Sequence, residues 1–120
     1  MIRLLIKDLR MVLRLFFVRH GLSSFNAKGL IQGRTDDSYL TEEGYSQAKS
    51  TGEILNQVNI DEIYSSPLKR ASETAKTIEK YLNKNLEIQY DKNLLEVDLG
   101  NWSGLKTTEI KEKFKSDYQT

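Results

Sequence analysis

The chain has 120 residues, a formal net charge of +1, no cysteine and a single histidine. Disulfides, iron–sulfur clusters, thiolate zinc and multi-histidine metal sites are thereby excluded, and the balanced charge gives no reason to expect a nucleic-acid or membrane-surface partner. With 38% apolar and 29% charged residues and one proline, the composition is that of one small globular domain or a piece of a larger one.

Residues 1–10 place Ile2, Leu5, Ile6 and Leu9 at helical spacing, with Arg3, Lys7, Asp8 and Arg10 between them. Lys7 and Asp8 interrupt the apolar run a secretory signal would need, and no small-residue cleavage site follows. The segment reads as an extension ahead of Met11, in preference to a docking helix, and the expected location is cytoplasmic. No apolar run approaches the length that crosses a bilayer.

Val12 to Val18 reads as the first strand, and it stops at Arg19-His20-Gly21. A buried strand ends this way when its C-terminal tip is the working surface of an α/β sheet. Arginine offers a charged fork for an oxyanion, histidine a nucleophile or base, and glycine a tight turn beside a ligand. Ser23 and Asn26 add neutral donors. Taken alone, the segment also fits a strand end with a chance polar cap. From His20 to Tyr39 no period is sustained, and stretches like this inside a domain are usually functional. Gln32-Gly33-Arg34 could bring an amide, a bare backbone and a guanidinium to a ligand, although Arg34 alone fits a solvated loop.

Thr41-Glu42-Glu43 opens a helix, with a threonine cap and two acids at its positive end. Tyr45, Ala48, Gly52 and Leu55 form its inward face, with Val58 near the end, and Glu62 to Ser65 follows as a second strand. The lengths define a βαβ unit with parallel pairing and a right-handed crossover. Ser66 then caps a second helix with Pro67 at its first position, and its stripe is Leu68, Ala71, Ala75, Ile78 and Leu82. Arg70 is off that stripe in the first turn, where a cation opposes the helix dipole unless an anion is shared there. It is a candidate ligand-binding residue, or else an exposed helix arginine. Asn85 to Tyr90 reads as a third strand, and Asp91 to Gly104 is irregular around Glu96 and Trp102. A closing helix spans Thr107 to Tyr118, with Ile110 and Phe114 on one face.

From Leu13 to Gly104 these blocks resemble the histidine phosphatase superfamily, which includes the cofactor-dependent phosphoglycerate mutases. The blocks are Arg19-His20-Gly21 with Ser23 and Asn26, then Gln32-Gly33 and Leu40-Thr41-Glu42-Glu43-Gly44, then Ser65-Ser66-Pro67-Leu68 with Arg70-Ala71 and Thr74-Ala75, and finally Glu96 to Trp102. The resemblance implies a three-layer αβα fold with a mainly parallel sheet, here truncated after about three strands. On that reading residues 11–120 are the N-terminal portion of the domain. It also implies that His20 takes the phosphoryl group, that Arg19 and Arg70 hold its oxygens, and that Glu96 serves the leaving group and then water. Ser23, Asn26, Gln32 and Gly33 would contact a small phosphorylated metabolite, with no cofactor and no metal.

Three departures shape the expectation. Leu22 stands where mutases of the family usually carry glutamate, and the loop Gln32 to Leu40 is one residue longer than the mutase form and lacks its proline. Both favour a phosphatase over a mutase, like members from plants and cyanobacteria. The family's second histidine has no counterpart and its members run longer, and without the strands of that further region Val12 to Val18 is expected to keep an unpaired edge. A non-catalytic phosphate-binding fragment is the alternative. A nucleotide-binding domain is weaker still, because no Walker or GxGxxG pattern follows the first strand.

Overall fold

The computed structural model describes residues 2–5, 13–95 and 106. Four strands form one sheet in the order β2-β1-β3-β4, where β1 is Ile2–Leu5, β2 Leu13–Phe16, β3 Glu62–Ser65 and β4 Ile88–Tyr90. β1 runs antiparallel to β2 and to β3, and β3 runs parallel to β4. It follows that β2, β3 and β4 share one direction. Three of the four strands thus follow the mainly parallel arrangement expected, while β1 is reversed inside the sheet and makes both of its pairings antiparallel.

That β1 is a strand corrects the helical reading of residues 1–10. Over four residues Ile2, Leu4 and Leu5 satisfy either period. Ladder partners on both sides then decide: Ile2 opposes Phe16 and Ile63, and Arg3 opposes Leu15 and Glu62. The same insertion alters the βαβ unit, because β2 and β3 run parallel but β1 lies between them. β2 keeps an open edge among the described residues, as anticipated.

Three helices are described: α1 (Ser24–Ala27), α2 (Glu42–Leu55) and α3 (Lys69–Lys80). α1 is a single turn inside the stretch that showed no period. Thr41 caps α2 as read, its side chain accepting the Gly44 N–H. The buried face of α2 is Gly44, Ala48, Gly52 and Leu55, whereas Tyr45 is 42% exposed. Tyr45 sits at the edge of the stripe, where its hydroxyl faces the Glu73 carboxylate of α3. α3 begins two residues later than the proline suggested. Its N-cap residue is Leu68, and Ser66 Oγ accepts the Leu68 N–H at 3.3 Å in the turn before it.

α2 and α3 cover one face of the sheet. Their Ala48, Leu55, Ala75 and Ile78 pack with Ile60, Ile63 and Leu82, while Phe16, Val18 and Ile88 lean on this core from the sheet. On the other face Leu13, Leu15 and Phe17 stand exposed, and among the described residues no second helical layer covers them. The closing helix read at Thr107 to Tyr118 lies outside the described residues, as do Glu96 and Trp102. No helix of the described residues is long and apolar enough to cross a membrane.

Candidate active site

The chain leaves β2 through Val18 and delivers Arg19 and His20 beside the end of β3. A cavity of about 210 Å³ opens there, lined by both residues, by Ser65 and Ser66, and by Arg70 and Thr74 of α3. Val18, Ile63, Ala75 and Ile78 form its apolar wall. The C-terminal ends of like-directed strands are where α/β sheets bind ligands. Arg19, His20 and Arg70 thus reach one space from two separate elements.

His20 is partly buried, and its Nδ1 lies 2.7 Å from the Gly21 carbonyl oxygen. A carbonyl only accepts, so Nδ1 carries the proton. In the neutral ring Nε2 then holds the lone pair, the form a nucleophile or base requires. The tautomer is therefore set by backbone only one residue away.

Arg70 is 1% exposed, which rules out the exposed helix arginine. Its guanidinium donates to the Thr35 carbonyl at 2.7 Å and to the Gly33 carbonyl at 2.5 Å. Both acceptors are neutral backbone groups. These two bonds orient the planar fork toward the cavity. Arg19, by contrast, is exposed at the mouth of the cavity.

The loop after His20 is wedged between two helices. The Gly21 N–H donates to Thr74 Oγ1 at 3.0 Å, and that hydroxyl donates to the Arg70 carbonyl at 2.7 Å. A Cβ on Gly21 would fall 2.4 Å from the Gly44 carbonyl oxygen, so only glycine fits against the first turn of α2. Leu22 completes the clamp. Its carbonyl accepts from the Thr41 N–H and hydroxyl at 2.9 and 2.8 Å, and its N–H donates to Gln47 Oε1 at 2.8 Å.

Ser23, Asn26, Gln32 and Gly33 are not among the described residues lining the cavity. Ser23 is fully buried and caps α1, accepting the Asn26 N–H at 3.2 Å. Its hydroxyl reaches Gln32 Oε1 at 2.6 Å and Asn26 Oδ1 at 2.9 Å, and Ser38 donates to the same Gln32 oxygen at 2.7 Å. These side chains hold the loop together, and Gly33 presents its carbonyl to Arg70. Glu96, read as the proton donor, lies outside the described residues. Among those described, no cluster of acidic and histidine side chains is arranged to hold a metal.

Residue-type reasoning gave no role to Thr74, Thr35 or Asp36. Thr74 is one helical turn beyond Arg70, so its place on the same face could have been read from spacing. The carbonyl of Thr35 leaves no mark in a sequence.

The match to known proteins covers most of the chain. The model of the histidine phosphatase superfamily (branch 1) matches residues 15–120. Phosphoserine phosphatase 1 of Hydrogenobacter thermophilus is 40% identical over 108 residues, covering 90% of this chain and 50% of that protein. A probable 2-carboxy-D-arabinitol-1-phosphatase of Arabidopsis thaliana is 42% identical over 101 residues, covering 84% of this chain and 20% of that one. The crystal structure of phosphoglycerate mutase from Bacillus anthracis superposes with a TM-score of 0.77 at 29% identity, over 84% of this chain and 44% of that one. The chain spans about half the length, or less, of these relatives. Family model, sequence relatives and fold agree, and the chain belongs to the histidine phosphatase superfamily.

Proposed function

We propose that this chain carries the phosphoryl-transfer half-site of a phosphatase acting on a small phosphomonoester. The observation that carries the reading is the meeting of Arg19, His20 and Arg70 at one cavity, with the His20 lone pair fixed on Nε2. Phosphoryl transfer asks for in-line positioning and charge stabilisation more than covalent chemistry. Nε2 attacks phosphorus as the ester P–O bond breaks, and the two guanidiniums hold the non-bridging oxygens. Glu96, assigned by resemblance alone, gives its proton to the departing alkoxide. It then takes a proton from the water that attacks phosphorus and breaks the P–N bond. Ser23, Asn26, Gln32 and Gly33 support the reading as the frame of the loop that presents its carbonyls to Arg70.

A phosphatase is favoured over a mutase by Leu22, which offers an apolar side chain where mutases carry a carboxylate, and by the longer loop 32–40. Incubation with p-nitrophenyl phosphate, an alkaline quench and peptide mass spectrometry should find an acid-labile phosphate on His20 that His20→Gln lacks. A clean negative on folded protein overturns turnover. A second reading, phosphate binding without reaction, needs only Arg19 and Arg70 at the cavity. In that case inorganic phosphate raises the melting temperature, Arg70→Ala removes the rise, and no adduct forms.

A further inference from the structure

The head of α3 has no cap of its own, since the side chain of Leu68 offers no acceptor. The acceptor comes from thirty-three residues upstream, where Asp36 Oδ1 receives the Lys69 N–H at 2.7 Å. That bond sits beside the two from Arg70 to Gly33 and Thr35, so three contacts fasten one loop to consecutive residues of one helical turn. Gly33 adopts φ +53, in the left-handed region, as it offers its carbonyl to the fork. Behind it, Gln32 is pinned by the buried Ser23 and Ser38. The guanidinium is oriented by two carbonyls, and the carboxylate of Asp36 holds those carbonyls at the helix head.

We propose that Asp36 is a positioning residue for Arg70, acting through this latch and not on the substrate. The inference rests on the reading of Arg70 as a phosphate ligand. It makes a prediction whose sign differs from simple electrostatics. Removing a negative charge near an anion site should by itself tighten anion binding. Losing the latch should loosen it, because a guanidinium no longer held in place must be ordered when phosphate binds.

The test is calorimetric titration of the full chain with inorganic phosphate, alongside thermal melts without phosphate. Asp36→Asn keeps the acceptor and should bind phosphate at least as tightly as the parent. Asp36→Ala should bind up to about tenfold more weakly, the cost of ordering one freed side chain. Lys69→Pro gives a second route should Asp36→Ala fail to fold. Proline suits the first helical position and removes the donor, and Leu68 before it is already extended (φ −62, ψ 143). It should weaken binding as Asp36→Ala does, relative to Lys69→Ala, which keeps the N–H. The double variant Asp36→Ala/Lys69→Pro should be no weaker than either single. Phosphate affinity unchanged in a folded Asp36→Ala or Lys69→Pro, while Arg70→Ala is weakened, overturns the role of Asp36 alone. Failure of the parent to bind phosphate, or an Arg70→Ala that binds as the parent does, overturns the site reading and this inference with it.

Discussion

Gly21 and Gly44 meet backbone to backbone, so close that a Cβ on either would lie within 2.4 Å of a carbonyl oxygen, Gly44's in one case and Leu22's in the other. The contact seats the loop that follows the nucleophile candidate on the head of α2, and it accounts for a glycine directly after His20. Gly21→Ala cannot be absorbed by a flexible side chain, because the opposing atoms are backbone. It should destabilise by roughly 2 kcal/mol or more, the upper part of the overpacking range. Gly29 is the control: its φ is +68 but nothing lies within 4 Å of its Cβ position. Gly29→Ala should cost only about 1 kcal/mol, from backbone strain alone. Urea unfolding of the two variants checks the contrast, and equal losses would refute the steric account.

Thr74 joins the two halves of the site with one hydroxyl, accepting from Gly21 and donating to Arg70. Thr74→Val keeps the shape and strands the buried Gly21 N–H, at a cost of about 1–3 kcal/mol. Thr74→Ser keeps the hydroxyl and should lose less, limited to a methyl group's packing of about 1 kcal/mol. Denaturant midpoints of the pair give the comparison, and a serine variant as damaged as the valine one would place the effect in packing.

Sequence reasoning read the elements that rest on local chemistry. The Thr41 cap and the strand Glu62–Ser65 needed only short-range signals. So did most of the α3 stripe, with Leu68, Ala75, Ile78 and Leu82 buried. It misread what depends on distant partners. Ile2–Leu5 became a strand because two other strands flank it, and Ser66 lost the capping of α3 to a carboxylate at position 36. The site divides the same way. Arg19, His20 and Arg70 were legible as charged groups at element ends. The inward turn of Ser23 and Gln32 was not, because a polar residue in a loop looks the same whether it meets a ligand or another buried residue.

Tyr45 carries a pH signature. Partial burial of its phenol raises its pKa above the ordinary tyrosine value, and the charge of the Glu73 carboxylate and the hydrogen bond to it add to the rise. A raised folded-state pKa means the contribution is complete below the unfolded value and is lost as pH climbs through the folded one. Tyr45→Phe should therefore be less stable than the parent near neutral pH. The gap should close at pH above about 10, where unfolded tyrosine ionises. Melting curves of both proteins across that alkaline range decide the matter. A gap constant with pH would mean that the phenol and Glu73 are not coupled.

Arg70→Lys tests whether the fork itself matters. Lysine keeps the charge and can reach one carbonyl, but an ammonium on a flexible stem cannot hold the Gly33 and Thr35 oxygens in the plane the guanidinium imposes. One of the two carbonyls then loses a charge-assisted bond, and stability should fall by about 1.5–3 kcal/mol. Charge alone would leave phosphate binding intact, whereas a lost planar, oriented donor should weaken it. The prediction is that Arg70→Lys binds inorganic phosphate at least about tenfold more weakly, as loss of one bidentate interaction of some 1.4 kcal/mol would require. Titration at low and high salt separates the two causes. A loss that vanishes with salt is long-range charge, and one that persists is geometry. Native affinity in Arg70→Lys would show that the cavity reads only charge, and that the carbonyl pair is scaffolding for the loop.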